Sequence, residues 1–222
     1  MSSAPVSQRQ NFQLGAKHVF WTIIVLMFAY VLHHNERFLI DHADPYWQHI
    51  AAFKWWLLVH GVSGACALLI GPFQFTQSFR QRHLKAHRVM GRVYVVGTLI
   101  VGPIGTYIQY RDQLTGSASS FTYAAFTFAG LWMLSTIVAL AFAMKRKIQQ
   151  HRQWMTRSYA YCLIFLEVRV IIGLAGWDNN ERIIEVVVWM LVAAAPIVAE
   201  FVLQWQELRS KRVLASKAAA AD

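Results

Sequence analysis

The sequence predicts an all-α membrane protein: a six-helix transmembrane bundle with both termini in the cytoplasm. Three observations predict it. The chain of 222 residues is 56% hydrophobic and only 14% charged, where a soluble domain carries about 25% charged residues. The apolar residues fall in long blocks rather than in the amphipathic stripes of a globular core. Lys and Arg cluster after alternate blocks, the arrangement of a chain whose basic loops stay on the cytoplasmic side. The net charge of +10 is therefore assigned to topology and to anionic lipids at the cytoplasmic face. Nucleic acid is not expected as a partner.

A helix crosses the hydrocarbon in about 20 residues, and six segments qualify. Residues 1–17 form a cytoplasmic segment with Arg9 and Lys17. Span one, 18–38, is too long for the apolar region of a signal peptide and has no small-residue cleavage site after it, so it reads as retained. Span two, 52–77, leads into a connection with Arg80, Arg82, Lys85 and Arg88. Span three, 89–110, returns to the outer side at Arg111 and Asp112. Span four, 121–144, ends at Lys145, Arg146 and Lys147, and Arg152 and Arg157 stand around the start of span five, 157–176. Span six, 183–206, is followed by Arg209, Lys211, Arg212 and Lys217, then by an Ala-rich tail expected to fray. Residues 18–206 thus make one transmembrane domain and 207–222 a cytoplasmic tail. The outer connection, 39–51, contains Asp41, His42, Asp44, Trp47 and His49 and is too short for a domain. An odd number of spans would put basic clusters on the wrong side.

Cys66 and Cys162 both lie inside spans, and there is no CxxC pair. They are expected to pack, with no disulfide framework. His33, His34, His42 and His49 gather on the outer side without an HxxxH or HExxH pattern, so no metal site is assigned. No GxGxxG, GxxxxGK[ST] or GxSxG pattern is present, which leaves no sign of a nucleotide loop or a nucleophile elbow.

Ionisable groups in or beside the spans are the candidates for function. His60, a few residues inside span two, has Gly61 and Gly64 beside it. Glycines admit a neighbouring helix or a flat ligand, and a ring nitrogen at that depth needs a partner. His87 and His151 open spans three and five at one depth, where helix N-termini attract anions. Arg88, Arg92, Arg152 and Arg157 stand close by and make phosphate or carboxylate binding natural, with lipid headgroups the plainest ligand. The sharper alternative is a b-type haem between His87 and His151. Glu167 and Arg169, inside span five, are two residues apart and cannot pair well with each other. Each is expected to find a partner on another helix in an intramembrane polar network, with His60 a neighbour for Arg169 by depth. His87-Arg88 with Arg92 and Tyr94, and His151-Arg152 with Arg157 and Tyr159, also suggest a parallel two-hairpin repeat.

Three motifs carry a resemblance. They are His60-Gly61-x-x-Gly64-x-x-Ala67-Leu68-Leu69-x-Gly71-Pro72-Phe73-Gln74-Phe75, His87-Arg88-x-x-Gly91-Arg92-x-Tyr94, and His151-Arg152-x-Trp154-Met155-x-Arg157-Ser158-Tyr159-Ala160. Together, over residues 55–175, they resemble the bacterial membrane-protein family known as domain of unknown function 2306. The resemblance implies a multi-pass protein of the bacterial inner membrane and implies no reaction.

Three functional readings follow. One is a b-type haem or quinone-linked redox protein with cofactor contacts among His60, His87 and His151. Another is a non-enzymatic accessory or anionic-lipid-binding subunit, working alone, as a homo-oligomer or in a larger membrane complex. The last is a small transporter using Glu167 and Arg169.

Overall fold

The structure, a computed structural model, describes residues 6–34, 54–114 and 119–219. Among them the chain is all-helical: α1 (Val6–His34), α2 (Lys54–Gln74), α3 (Gln77–Arg82), α4 (Leu84–Gln113), α5 (Ser119–Met144), α6 (Ile148–Ala175) and α7 (Glu181–Ala218). Five of these, α2 and α4 to α7, are long and apolar enough to cross a membrane. The apolar part described in α1 is shorter, His18–His34. The outer connection, with Asp41, His42, Asp44, Trp47 and His49, lies outside the described residues.

The helices overrun their apolar cores. α6 begins nine residues before the expected start of span five, at Ile148 rather than 157, because a helix satisfies its own backbone and can continue into the headgroup region at no polar cost. α7 continues through the basic stretch and into the Ala-rich tail as far as Ala218. Alanine is the best helix former, and the Glu207–Lys211 pair, 2.9 Å apart at i,i+4, adds to it. The basic connection after α2 contains the extra short helix α3. Its aromatic side continues a ladder of rings from Trp21 to Phe73 (4.5 Å), Phe79 (6.0 Å) and His83 (5.5 Å).

The packing order follows the chain. α2 lies against α4, α4 against α5, and α5 against α6. α7 covers α6 and part of α5, α1 lies on α6, and α2 also reaches α6. α6 is thus the central helix, and Met155, Ser158, Tyr159, Cys162, Ile164 and Leu166 are buried along it. Tight turns keep neighbouring helices antiparallel. α6 closes in a Schellman turn at Gly176 (φ 68°), with bonds from Gly176 N to Gly173 O and from Trp177 N to Ile172 O. The Asn180 side chain then accepts from Ile183 N at 3.1 Å and caps α7. Outward-facing residues such as Leu26, Val62, Val96, Ile137, Ile197 and Phe201 are exposed and apolar, as hydrocarbon surroundings require and water would not.

All the basic connections fall at one end of this bundle, where α2, α5 and α7 finish and α4 and α6 begin. At the opposite end α1 meets the turn between α6 and α7 through His34 Nε2 and Asp178 Oδ2, 3.4 Å apart.

Candidate functional site

Three helices are tied together by one closed ring of hydrogen bonds. The Trp132 indole N–H donates to the Tyr94 hydroxyl at 3.3 Å, and the Thr136 hydroxyl donates to the Trp132 carbonyl at 2.8 Å. Ser158 Oγ stands 2.8 Å from the Tyr94 hydroxyl and 2.7 Å from Thr136 Oγ1. With the Thr136 proton directed at a carbonyl, Ser158 donates to Thr136 and Tyr94 donates to Ser158. The ring runs one way, from the N–H of Trp132 to its own C=O. A proton relay must be able to reverse every O–H along it, which neither an indole N–H nor a carbonyl permits, so the ring is a structural lock between α4, α5 and α6.

Seven residues before the two halves of that lock stand two histidines: His87 before Tyr94 on α4, His151 before Ser158 on α6. Seven residues are two helical turns, about 10 Å, on the same face. α4 and α6 run the same way, so both rings lie at one height at the basic end, and His87 is within reach of the charge of His151, Arg80 and Arg88. His151 Nδ1 lies 2.9 Å from the Ala139 carbonyl. A carbonyl only accepts, so Nδ1 carries the proton and Nε2 keeps the free lone pair in the neutral ring. His87 Nδ1 is inaccessible to solvent and has no hydrogen-bond partner, and the same holds for Gln74 Nε2 at the end of α2. Gln74 lies beside the His87 stripe: a Cβ on Gly91, one turn beyond His87, would meet only Gln74 Oε1, at 3.8 Å. Gln74 and His87 thus stand together above the lock as a closely packed polar cluster, with the charges of Arg80, Arg88 and His151 acting on His87.

His60 belongs elsewhere. It is fourteen residues before Gln74 on α2, about 21 Å along the axis. Its Nδ1 donates to the Val101 carbonyl at 3.1 Å, and Gly105 leaves room for the ring, since a Cβ there would lie 2.7 Å from His60 Cε1. That bond pins α2 to α4. Arg169 is the neighbour expected by depth, near enough for its charge to act on His60. It also lies over the Phe165 ring, 6.0 Å from its centre. Glu167, about 200° round the helix from Arg169, points to the opposite side of α6 and is half-buried.

Arg88, Arg92 and Arg152 are exposed at the basic end. Arg157 is not open to a ligand in the same way. Its Nε donates to Glu200 Oε1 on α7 at 2.8 Å, its Nη2 donates to the same oxygen, and its guanidinium lies over the Trp154 ring at 4.9 Å. Among the described residues no group of three or more His, Cys, Asp and Glu is placed to hold a metal ion.

Sequence reasoning passed over Gln74, Glu200 and the Trp132–Thr136 pair. Glu200 could have been found as a lone acid within the sixth apolar block. Gln74 stood within a recognised motif, but nothing local marked its amide as unsatisfied.

The family described as "Predicted membrane protein (DUF2306)" matches residues 57–203, a stretch that runs from α2 into α7 and contains the lock and the cluster around Gln74 and His87. No curated protein and no solved structure matches the chain.

Proposed function

Because the chain belongs to the DUF2306 family of predicted membrane proteins, we propose that it is a six-span protein of the bacterial inner membrane, with both termini cytoplasmic. The polar cluster of Gln74, His87, Arg80 and Arg88 binds an oxyanion, in the first place the phosphate of an anionic lipid headgroup. The observation that carries this reading is the pair of buried, unpartnered nitrogens, Gln74 Nε2 and His87 Nδ1, beside Arg80 and Arg88. A buried polar atom left unpaired costs about 1–3 kcal/mol. Acceptor oxygens bearing negative charge would satisfy both nitrogens and the arginines together. Clustering of Lys and Arg at the same end supports a cytoplasmic, anionic-lipid-facing placement.

The test is native mass spectrometry of the detergent-purified protein with added phosphatidylglycerol or phosphatidylcholine. Phosphatidylglycerol should be retained preferentially, and Gln74→Leu or Arg88→Gln should weaken that retention about tenfold, the equivalent of roughly 1.4 kcal/mol. Equal retention of both lipids, or indifference to both substitutions, refutes the assignment.

A further inference from the structure

α7 is longer than a membrane needs. The hydrocarbon takes about 20 residues, which from Ile183 are used up near Val202, yet the helix runs unbroken to Ala218. Its last turns reach about 22 Å further, and every described side chain from Gln204 to Ala219 is exposed. A helical stretch of that length is marginal in water unless something packs on it.

The extension carries a seam. Phe201, Trp205, Leu208, Arg212 and Ala215 follow one another at intervals of four, three, four and three, the spacing of a coiled-coil contact line. The line begins inside the hydrocarbon, where Met190, Ala194 and Ile197 lead to Phe201 at intervals of four, three and four. The second successive interval of four, at Trp205, is a stutter that locally unwinds a supercoil. The line lies on the side of α7 away from the bundle: Ala195 and Ala199 are buried, and Leu208 is about 180° round the helix from Ala199. Leu208 is 55% exposed. The Phe201 and Trp205 rings stack with centres 6.4 Å apart, so both are held in place along the line before any partner arrives.

Lipid tails can cover Met190, Ile197 and Phe201. They cannot cover Leu208 and Ala215, which carry the same line into water. An occupant that suits both solvents is a second copy of α7. Two copies inserted with one topology run parallel and place identical residues at identical heights, so the line on one meets the same line on the other throughout. The flanking residues agree with this. In a parallel pair each residue before the line faces one five positions on in the other chain. Gln204 would face Arg209, and Lys211 would face Ser216, with no like charges opposed. Arg212 is the single charged residue on the line, and a polar residue there fixes register at a cost in stability. A soluble acidic helix would be drawn to Arg209, Lys211 and Arg212 but would gain nothing from the half of the line in hydrocarbon.

We infer that this protein is a parallel homodimer joined along α7. The helices pack in the membrane at Ala194 and Ile197 and continue beyond it as a short coiled coil at Trp205, Leu208 and Ala215.

The experiment is disulfide cross-linking of the full chain in native membranes, with the parent protein as the baseline for Cys66 and Cys162. Leu208→Cys and Ala215→Cys should cross-link to dimers, and Ser210→Cys, on the opposite side of the helix, should not. Leu208→Glu should weaken dimerisation about tenfold in detergent, read by mass photometry, while Arg212→Leu should strengthen it. Added salt should also strengthen it, by screening the two Arg212 charges. Leu208 and Ser210 are exposed, so none of these changes touches the bundle core. A protein that stays monomeric, or cross-linking as strong at Ser210→Cys as at Leu208→Cys, overturns the homodimer. So does a monomer whose extension holds an acidic partner that salt releases.

Discussion

The Tyr159 hydroxyl donates to the Leu68 carbonyl at 2.9 Å, and the acceptor is available because of a proline. Pro72, four residues further along α2, has no N–H to occupy that oxygen. In hydrocarbon the vacancy needs filling from another helix, and α6 fills it. Gly71 makes the approach possible: a Cβ there would lie 2.0 Å from Tyr159 Cε2. The Gly71-Pro72 pair and Tyr159 thus form one joint between α2 and α6, built from two of the motifs read in the sequence.

Tyr159→Phe should lower the unfolding free energy by about 1 kcal/mol, the scale of one interhelical hydrogen bond in a membrane. Gly71→Ala should cost more, roughly 2–3 kcal/mol, because the ring must leave its place. Combined with Tyr159→Ala, the Gly71→Ala penalty should largely vanish. Unfolding in mixed detergent and SDS measures all three, and a Gly71→Ala protein as stable as the parent would contradict the contact.

The lock between α4, α5 and α6 should behave as a unit. Tyr94→Phe and Ser158→Ala should each cost about 1–2 kcal/mol, since each leaves a buried partner unsatisfied. The double variant should fall short of their sum by about 1 kcal/mol. Strict additivity in the same unfolding assay would mean that the hydroxyls act independently.

Removing either partner of Arg157 and Glu200 should loosen α7 from α6. Arg157→Gln leaves a carboxylate, and Glu200→Gln leaves a guanidinium, facing an apolar surrounding. Each should lower stability by roughly 1 kcal/mol, the scale of a partly exposed pair. Arg157→Leu with Glu200→Leu should recover much of that loss, because no unpaired charge remains. Thermal unfolding followed by tryptophan fluorescence reads this out. A double variant less stable than either single one would refute the pairing.

Some of the candidate site was legible beforehand. His87 and His151 stood at matching positions in two similar motifs, and seven-residue spacing to Tyr94 and Ser158 follows from counting. Their meeting at one height depends on α4 and α6 running parallel, which the alternation of spans already required. The vacancy at Gln74 Nε2 could not be read, because an amide in a motif looks the same whether or not a partner reaches it. Nor could the sequence show that His60 lies about 21 Å away in its own pocket of backbone, or that Arg157 is taken by Glu200. Both depend on which face of one helix meets which face of another.

Periodicity and charge placement determined that this chain is a set of apolar helices with its cations gathered at one end. Hydrocarbon allows so few backbone solutions that the length of an apolar block nearly dictates the element it forms. Only the tertiary structure decided which polar groups are satisfied and which are left waiting. Around a bundle in lipid the hydrophobic effect does not choose helix partners. That choice falls to close approach at glycines and to carbonyls freed by prolines, where a difference of one ångström separates a bond from a vacancy.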